Sequence, residues 1–99
     1  MDPHIILEEN KLLLTSEALT LLNAQPGNRI AVNYVQVSSE YTFPVIAKAE
    51  YFIDPEAGNK LTKSNTVSFR GIQNKTLNLY GSNFVLEFYK EGIYKMVSI

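Results

Sequence analysis

The sequence predicts a mostly-β domain with one short α-helix, built as a small β-barrel or sandwich. Three observations predict it. Short runs of alternating apolar and polar residues recur along the chain. Clusters of Gly, Pro, Asn and Ser separate them, and only one stretch has helical spacing. Ninety-nine residues make a single β-rich binding domain, residues 1–99, with a modest core. The 45% hydrophobic content excludes a disordered chain.

Taken in order, the first ten residues read as a frayed, acidic start. Leu12–Leu14 is an apolar run of strand length. Thr15 or Ser16 caps a helix from Ser16 to Leu22, with Glu17 in its first turn, where a negative charge meets the positive helix end. Leu19 and Leu22 lie three apart on one face, with Ala18 beside them. Pro26-Gly27 joins a fixed φ to a residue that tolerates positive φ, as a type II turn requires. Ile30, Val32 and Tyr34 alternate with Ala31 and Asn33, and Val35–Val37 extends that strand until Ser38-Ser39-Glu40 breaks it. Pro44 must stand at a strand start or edge. Val45–Ile53 reads as a strand and residues 54–59 as an exposed loop. Thr66–Arg70 and Thr76–Tyr80 read as short strands, each ended by glycine. Phe84–Tyr89 and Ile93–Ile99 form a closing hairpin across Lys90-Glu91-Gly92. The total is about seven strands.

Residues 11–34 run strand, short Leu-containing helix, Pro26-Gly27-Asn28-Arg29-Ile30, strand. This resembles the half-barrel of the AbrB-type swapped-hairpin transcription regulators. Ser16–Leu22 matches the family helix, and Pro26 to Ile30 its turn. The chain departs from the pattern at Thr15-Ser16, where the family has a basic pair, and at Asn28, where it has an acid. The resemblance implies a dimer of interleaved hairpins, DNA-linked regulation, and Arg29 among the DNA contacts.

Charge is unevenly placed. Residues 1–56 carry three basic and eight acidic side chains, while residues 57–99 carry six basic and two acidic ones. No acid lies between Ala57 and Leu86, where Lys60, Lys63, Arg70 and Lys75 alternate with hydroxyl and amide side chains. Cations with such donors suit phosphate oxygens, and Phe69 and Tyr80 offer stacking surfaces. The bland alternative is a solvated face that lacks acids. Gly58, Lys63 and Ser64 suggest a phosphate loop, but Thr62 stands where that motif needs glycine.

Catalysis finds little support. His4 is the only histidine, which removes a Ser-His-Asp triad and multi-histidine metal sites. Glu8 and Glu9 are adjacent and face opposite sides of a strand. Asp54 and Glu56 fall short of a calcium loop. The sequence therefore predicts no enzyme, no metal and no cofactor. The favoured role is DNA-linked transcription regulation through a basic face in residues 57–86, with Lys60, Lys63, Arg70, Lys75 and Arg29 as contacts. The alternative is a protein–protein module, such as a phage-encoded accessory, structural or host-inhibiting protein, consistent with an Asn-, Lys- and Tyr-rich composition.

Eleven aromatic residues, with Tyr51-Phe52 and Phe88-Tyr89 adjacent, put some rings outside a single core. A homo-oligomer, a dimer in the simplest case, is expected, with the closing hairpin as an unblunted edge. No apolar run reaches the roughly 18–20 residues of a membrane span, so no membrane partner is expected. MDPHIILEEN lacks the basic start of a signal peptide. The absence of cysteine favours a reducing, cytoplasmic setting.

Overall fold

The computed structural model describes residues 2–99. Its strands are β1 (His4–Glu8), β2 (Lys11–Leu14), β3 (Arg29–Ser38), β4 (Tyr41–Lys48), β5 (Asn59–Lys60), β6 (Thr66–Ser68), β7 (Asn83–Lys90) and β8 (Ile93–Ser98). Helix α1 (Ser16–Leu22) follows β2, helix α2 (Ile72–Asn78) follows β6, and a 3-10 turn spans Ala49–Tyr51. One antiparallel sheet runs in the order β5-β3-β4-β8-β7-β1-β2-β6. Its two end strands are consecutive in the chain. The turn at 61–65 brings them together, and the Asn59 side-chain amide donates to the Ser68 carbonyl at 2.8 Å. The result is a nearly closed eight-stranded barrel.

The interior is filled by alternate residues of the strands, including Ile5, Leu12, Ile30, Ile46, Val67 and Phe84. Neighbouring antiparallel strands end on opposite sides of a sheet. The helices that follow β2 and β6 therefore close opposite ends, α1 inserting Ala18 and Leu22 and α2 inserting Leu77. Thr15 caps α1 by accepting the Ala18 amide at 3.2 Å, and also accepts the His4 amide at 3.0 Å. Asn23 ends the helix in the left-handed region at φ 53°.

The turn from Gln25 to Asn28 forms as expected: the Asn28 amide donates to the Gln25 carbonyl and Gly27 has φ 97°. It is also anchored across the barrel, because the Gly27 amide donates to the Leu61 carbonyl and the Leu61 amide to the Asn28 carbonyl, both at 2.8 Å.

The structure corrects several expectations. His4–Glu8 form a strand rather than part of a frayed end, because Ile5 is fully buried opposite Phe84. Thr76–Tyr80 belongs largely to α2 and is not a strand. Leu77 is buried while Leu79 is 85% exposed. Asn74 fixes the helix by donating to the Phe69 and Glu9 carbonyls. Val45–Ile53 stops as a strand at Lys48, since its partner β3 begins opposite that point.

Strand β4 is buried on both faces. Its residue Ile46 joins the interior, while Phe43, Val45 and Ala47 form a second apolar cluster with Ile93, against which Val35 and Phe52 pack. Pro44, expected at a strand start or edge, instead lies inside β4 between β3 and β8; it sits just beyond the two residues in register with β8, where the missing amide breaks no ladder to that strand. Among the described residues, no helix is long and apolar enough to cross a membrane.

Candidate functional site

Two surfaces stand out, one basic and one aromatic. The basic one follows from barrel closure. On the outer side of the sheet, Lys11 of β2 lies opposite Ser68 of β6, and Leu13 opposite Thr66. Arg70 follows β6, and its Nε donates to the Ser68 hydroxyl at 3.3 Å. Lys11, Arg70, Thr62, Thr66 and Ser68 line one polar groove of about 260 Å³, with Glu9 at its rim. The Thr62 and Thr66 hydroxyls share a hydrogen bond of 2.7 Å and so hold the turn between β5 and β6.

The sequence-derived residues are strung along this seam. Lys60 and Lys63 stand at the end where the turn lies. Arg70 lies at the other end, together with Lys75, which follows Asn74 on α2. All four are exposed. Arg29 lies directly opposite Lys60, but its Nη1 donates to the Gly58 carbonyl at 2.9 Å, so it clamps the 54–58 loop. Sequence reasoning missed Lys11, which sits in the acidic half of the chain and reaches the seam only through β2–β6 pairing. The fold also brings in acids that the 57–86 run lacks: Glu8 lies opposite Lys11, and Glu9 forms the adjoining turn.

The aromatic surface lies on the outer face of β4 and the β7–β8 hairpin. Tyr41 and Phe43 rings are 5.6 Å apart, as are Phe43 and Tyr89. The Lys95 ammonium sits 4.6 Å from the Phe43 ring centre and donates to the Tyr41 hydroxyl at 2.9 Å. That hydrogen bond holds the Lys95 pKa above its ordinary value. Lys90 stands 5.3 Å from the Tyr89 ring centre. Beside them a cleft of about 390 Å³ runs between Asn33 and Val35 of β3 and the rings of Tyr51, Phe52 and Tyr89. Asp54 and Lys90 supply its charges. The Tyr51 ring lies against Gly92, where any β-carbon would collide with it.

Inside the barrel wall, Tyr34 packs on Tyr80 with ring centres 5.6 Å apart. Burial, aided by the nearby Tyr80, pushes the Tyr34 hydroxyl up to about 12. That hydroxyl and the His4 Nε2 are buried without hydrogen-bond partners among the described residues. No group of three or more His, Cys, Asp or Glu side chains gathers to hold a metal among the described residues. Asp54 Oδ1 instead accepts the Glu56 amide at 2.9 Å, a local turn bond. Residues 58–66 form β5, a turn and β6, not a strand–loop–helix phosphate cradle.

No protein-family model, curated protein or solved structure matches the chain.

Proposed function

We propose that this protein is a non-enzymatic module that binds nucleic acid, in a regulatory role, through the phosphate groups that its closure seam can reach. One observation carries the reading. Lys11 and Arg70, both beside Ser68, share one groove with the hydroxyls of Thr62, Thr66 and Ser68 along the paired β2 and β6, with Lys60 and Lys63 at its turn end. Cations and short hydroxyl donors are what phosphate oxygens accept from, and a sheet holds them at fixed spacing. Arg29, suggested by the AbrB-like pattern, contributes charge from its clamp on Gly58 rather than a free side chain. Glu9 limits affinity at the rim, so binding is weak and strongly salt-dependent.

Fluorescence anisotropy with labelled oligonucleotides at low salt tests this. Four phosphate contacts give a log–log salt slope of roughly −3 to −4. Lys11→Glu combined with Arg70→Glu should abolish binding. Binding that survives this double change, or none at tens of micromolar protein, rejects the seam.

A second reading is a protein–protein module whose partner is a second copy of the chain. It is favoured by the closing hairpin: β1 is in register with β7 only at Asn83, Phe84 and Val85, so Glu87–Lys90 has one neighbour strand and Phe88 is 70% exposed. Sedimentation equilibrium between about 1 and 200 μM decides it, since edge pairing titrates with concentration. A monomer of 11.2 kDa throughout rejects self-association.

A further inference from the structure

We infer that the aromatic cleft beside β3 is a base-stacking site for single-stranded nucleic acid, so that the protein's ligand is a single strand and not a duplex. The inference rests on the phosphate-binding reading of the seam and names the ligand's form. The cleft and the seam are continuous along one strand. Arg29 and Ile30 of β3 pair with Lys60 and Asn59, and three residues further on, Asn33 and Val35 line the cleft, about 10 Å away at strand rise. The loop joining them contributes Asp54 to the cleft and then runs directly into Asn59 and Lys60.

The cleft's chemistry matches a flat heterocycle better than an aliphatic chain. Tyr51 and Tyr89 both line the cleft with partly exposed rings, 41% and 37%. Ile53, fully exposed, offers an apolar lip. The Asn33 amide and the Asp54 carboxylate supply the donor and acceptors that a base edge requires. A volume of about 390 Å³ is at the small end of ligand sites, enough for one base. The Lys90 ammonium lies over the Tyr89 ring, so a base stacking on that ring would displace it towards the base's own phosphate. In a duplex the bases are stacked and paired inward, and none can enter such a cleft without unpairing. A second chain is the competing occupant.

The test compares a twelve-nucleotide single strand with a duplex of the same sequence, using wild type, Tyr89→Ala and Tyr89→Phe. Stacking of one base predicts that Tyr89→Ala weakens the single-strand affinity about tenfold and that Tyr89→Phe restores it to within about twofold. Duplex affinity, set by cations, should be lower and unchanged by either variant. Thermal melts establish that both variants are folded. Equal affinity for single strand and duplex, insensitive to Tyr89→Ala, overturns the cleft and leaves the seam standing. Loss of all oligonucleotide binding in Lys11→Glu with Arg70→Glu, while millimolar deoxyadenosine monophosphate still shifts the amide signals of Asn33 and Tyr89, supports the cleft. If no oligonucleotide binds the wild type and the mononucleotide moves no cleft signal, both readings fall. A dimer lost on Tyr89→Ala, with no change in oligonucleotide affinity, assigns the cleft to a second copy instead and overturns the inference.

Discussion

The seam and the aromatic face are built from opposite materials on one sheet. At the seam, β5 and β6 have two and three residues, and their outward side chains are charged or hydroxylic. At the aromatic face, β3, β4 and β7 have eight to ten residues, and their outward side chains are largely rings and aliphatics. Closing a barrel with strands of unequal length explains the difference. The short strands meet without a ladder between them and leave a polar rim, linked by the Asn59 side chain to the Ser68 carbonyl. The long ones overhang, and their outer face gathers its own apolar layer under the 49–53 segment. Short, charged edge strands resist unwanted pairing, whereas a long aromatic overhang leaves apolar surface exposed.

The largest expected effect falls where the seam joins the rest of the barrel. Gly58 has φ 71°, and a β-carbon there would lie 2.0 Å from the Ile30 carbonyl oxygen. Both faults are in backbone that cannot move without breaking β3–β5 pairing. Gly58→Ala should cost more than about 3 kcal/mol and lower Tm by over about 10 °C. A melt close to wild type would mean that the seam is not held as described.

The aromatic residues of β4 and β7 should divide sharply into structural and exposed rings. Phe43 is 7% exposed in the second apolar cluster, so Phe43→Ala should cost about 3 kcal/mol in denaturant unfolding. Phe88, on the opposite face of β7, is 70% exposed and meets Tyr94 edge-on, so Phe88→Ala should cost less than about 1 kcal/mol. Equal costs would show that the cluster outside the barrel is not a true core.

Gly27 sharpens the contrast with Gly58. Its φ is also positive, but a β-carbon there meets nothing within 4 Å. Gly27→Val should therefore cost only the backbone strain, about 1 kcal/mol, measured as a smaller shift in the same melt. A loss as large as that of Gly58→Ala would place the turn against a neighbour.

The smallest effect concerns Tyr34. Its hydroxyl is buried without a partner among the described residues, so Tyr34→Phe should be neutral or stabilising by up to about 1 kcal/mol near neutral pH. The pH dependence has a definite sign. Above pH 10 the unfolded phenol ionises, while the folded one holds its proton to about 12, so stability falls as pH rises through that interval. Unfolding curves at pH 9 and 11 should show a steeper loss in wild type than in Tyr34→Phe. Identical losses would mean that the hydroxyl is solvated.

Local chemistry decided much of this protein from sequence alone. Thr15 capping, the α1 face of Ala18 and Leu22, positive φ at Gly27 and the closing hairpin all depend on residues close in the chain. Their energetics are set by short-range sterics and hydrogen bonds, which spacing reveals. The cations at positions 60, 63, 70 and 75 were equally legible, since an acid-free run needs no fold to be seen. Only tertiary structure made α2 a helix, because two apolar residues in alternation fit either period until one of them must fill the end of a barrel. Only pairing of β2 with β6 carried Lys11 from an acidic half to the seam, and only the clamp on Gly58 withdrew Arg29 from it. The cleft draws on β3, the 51–57 segment and the β7–β8 hairpin. No local pattern records it, because its walls are distant in sequence and are brought together by strand register and barrel curvature.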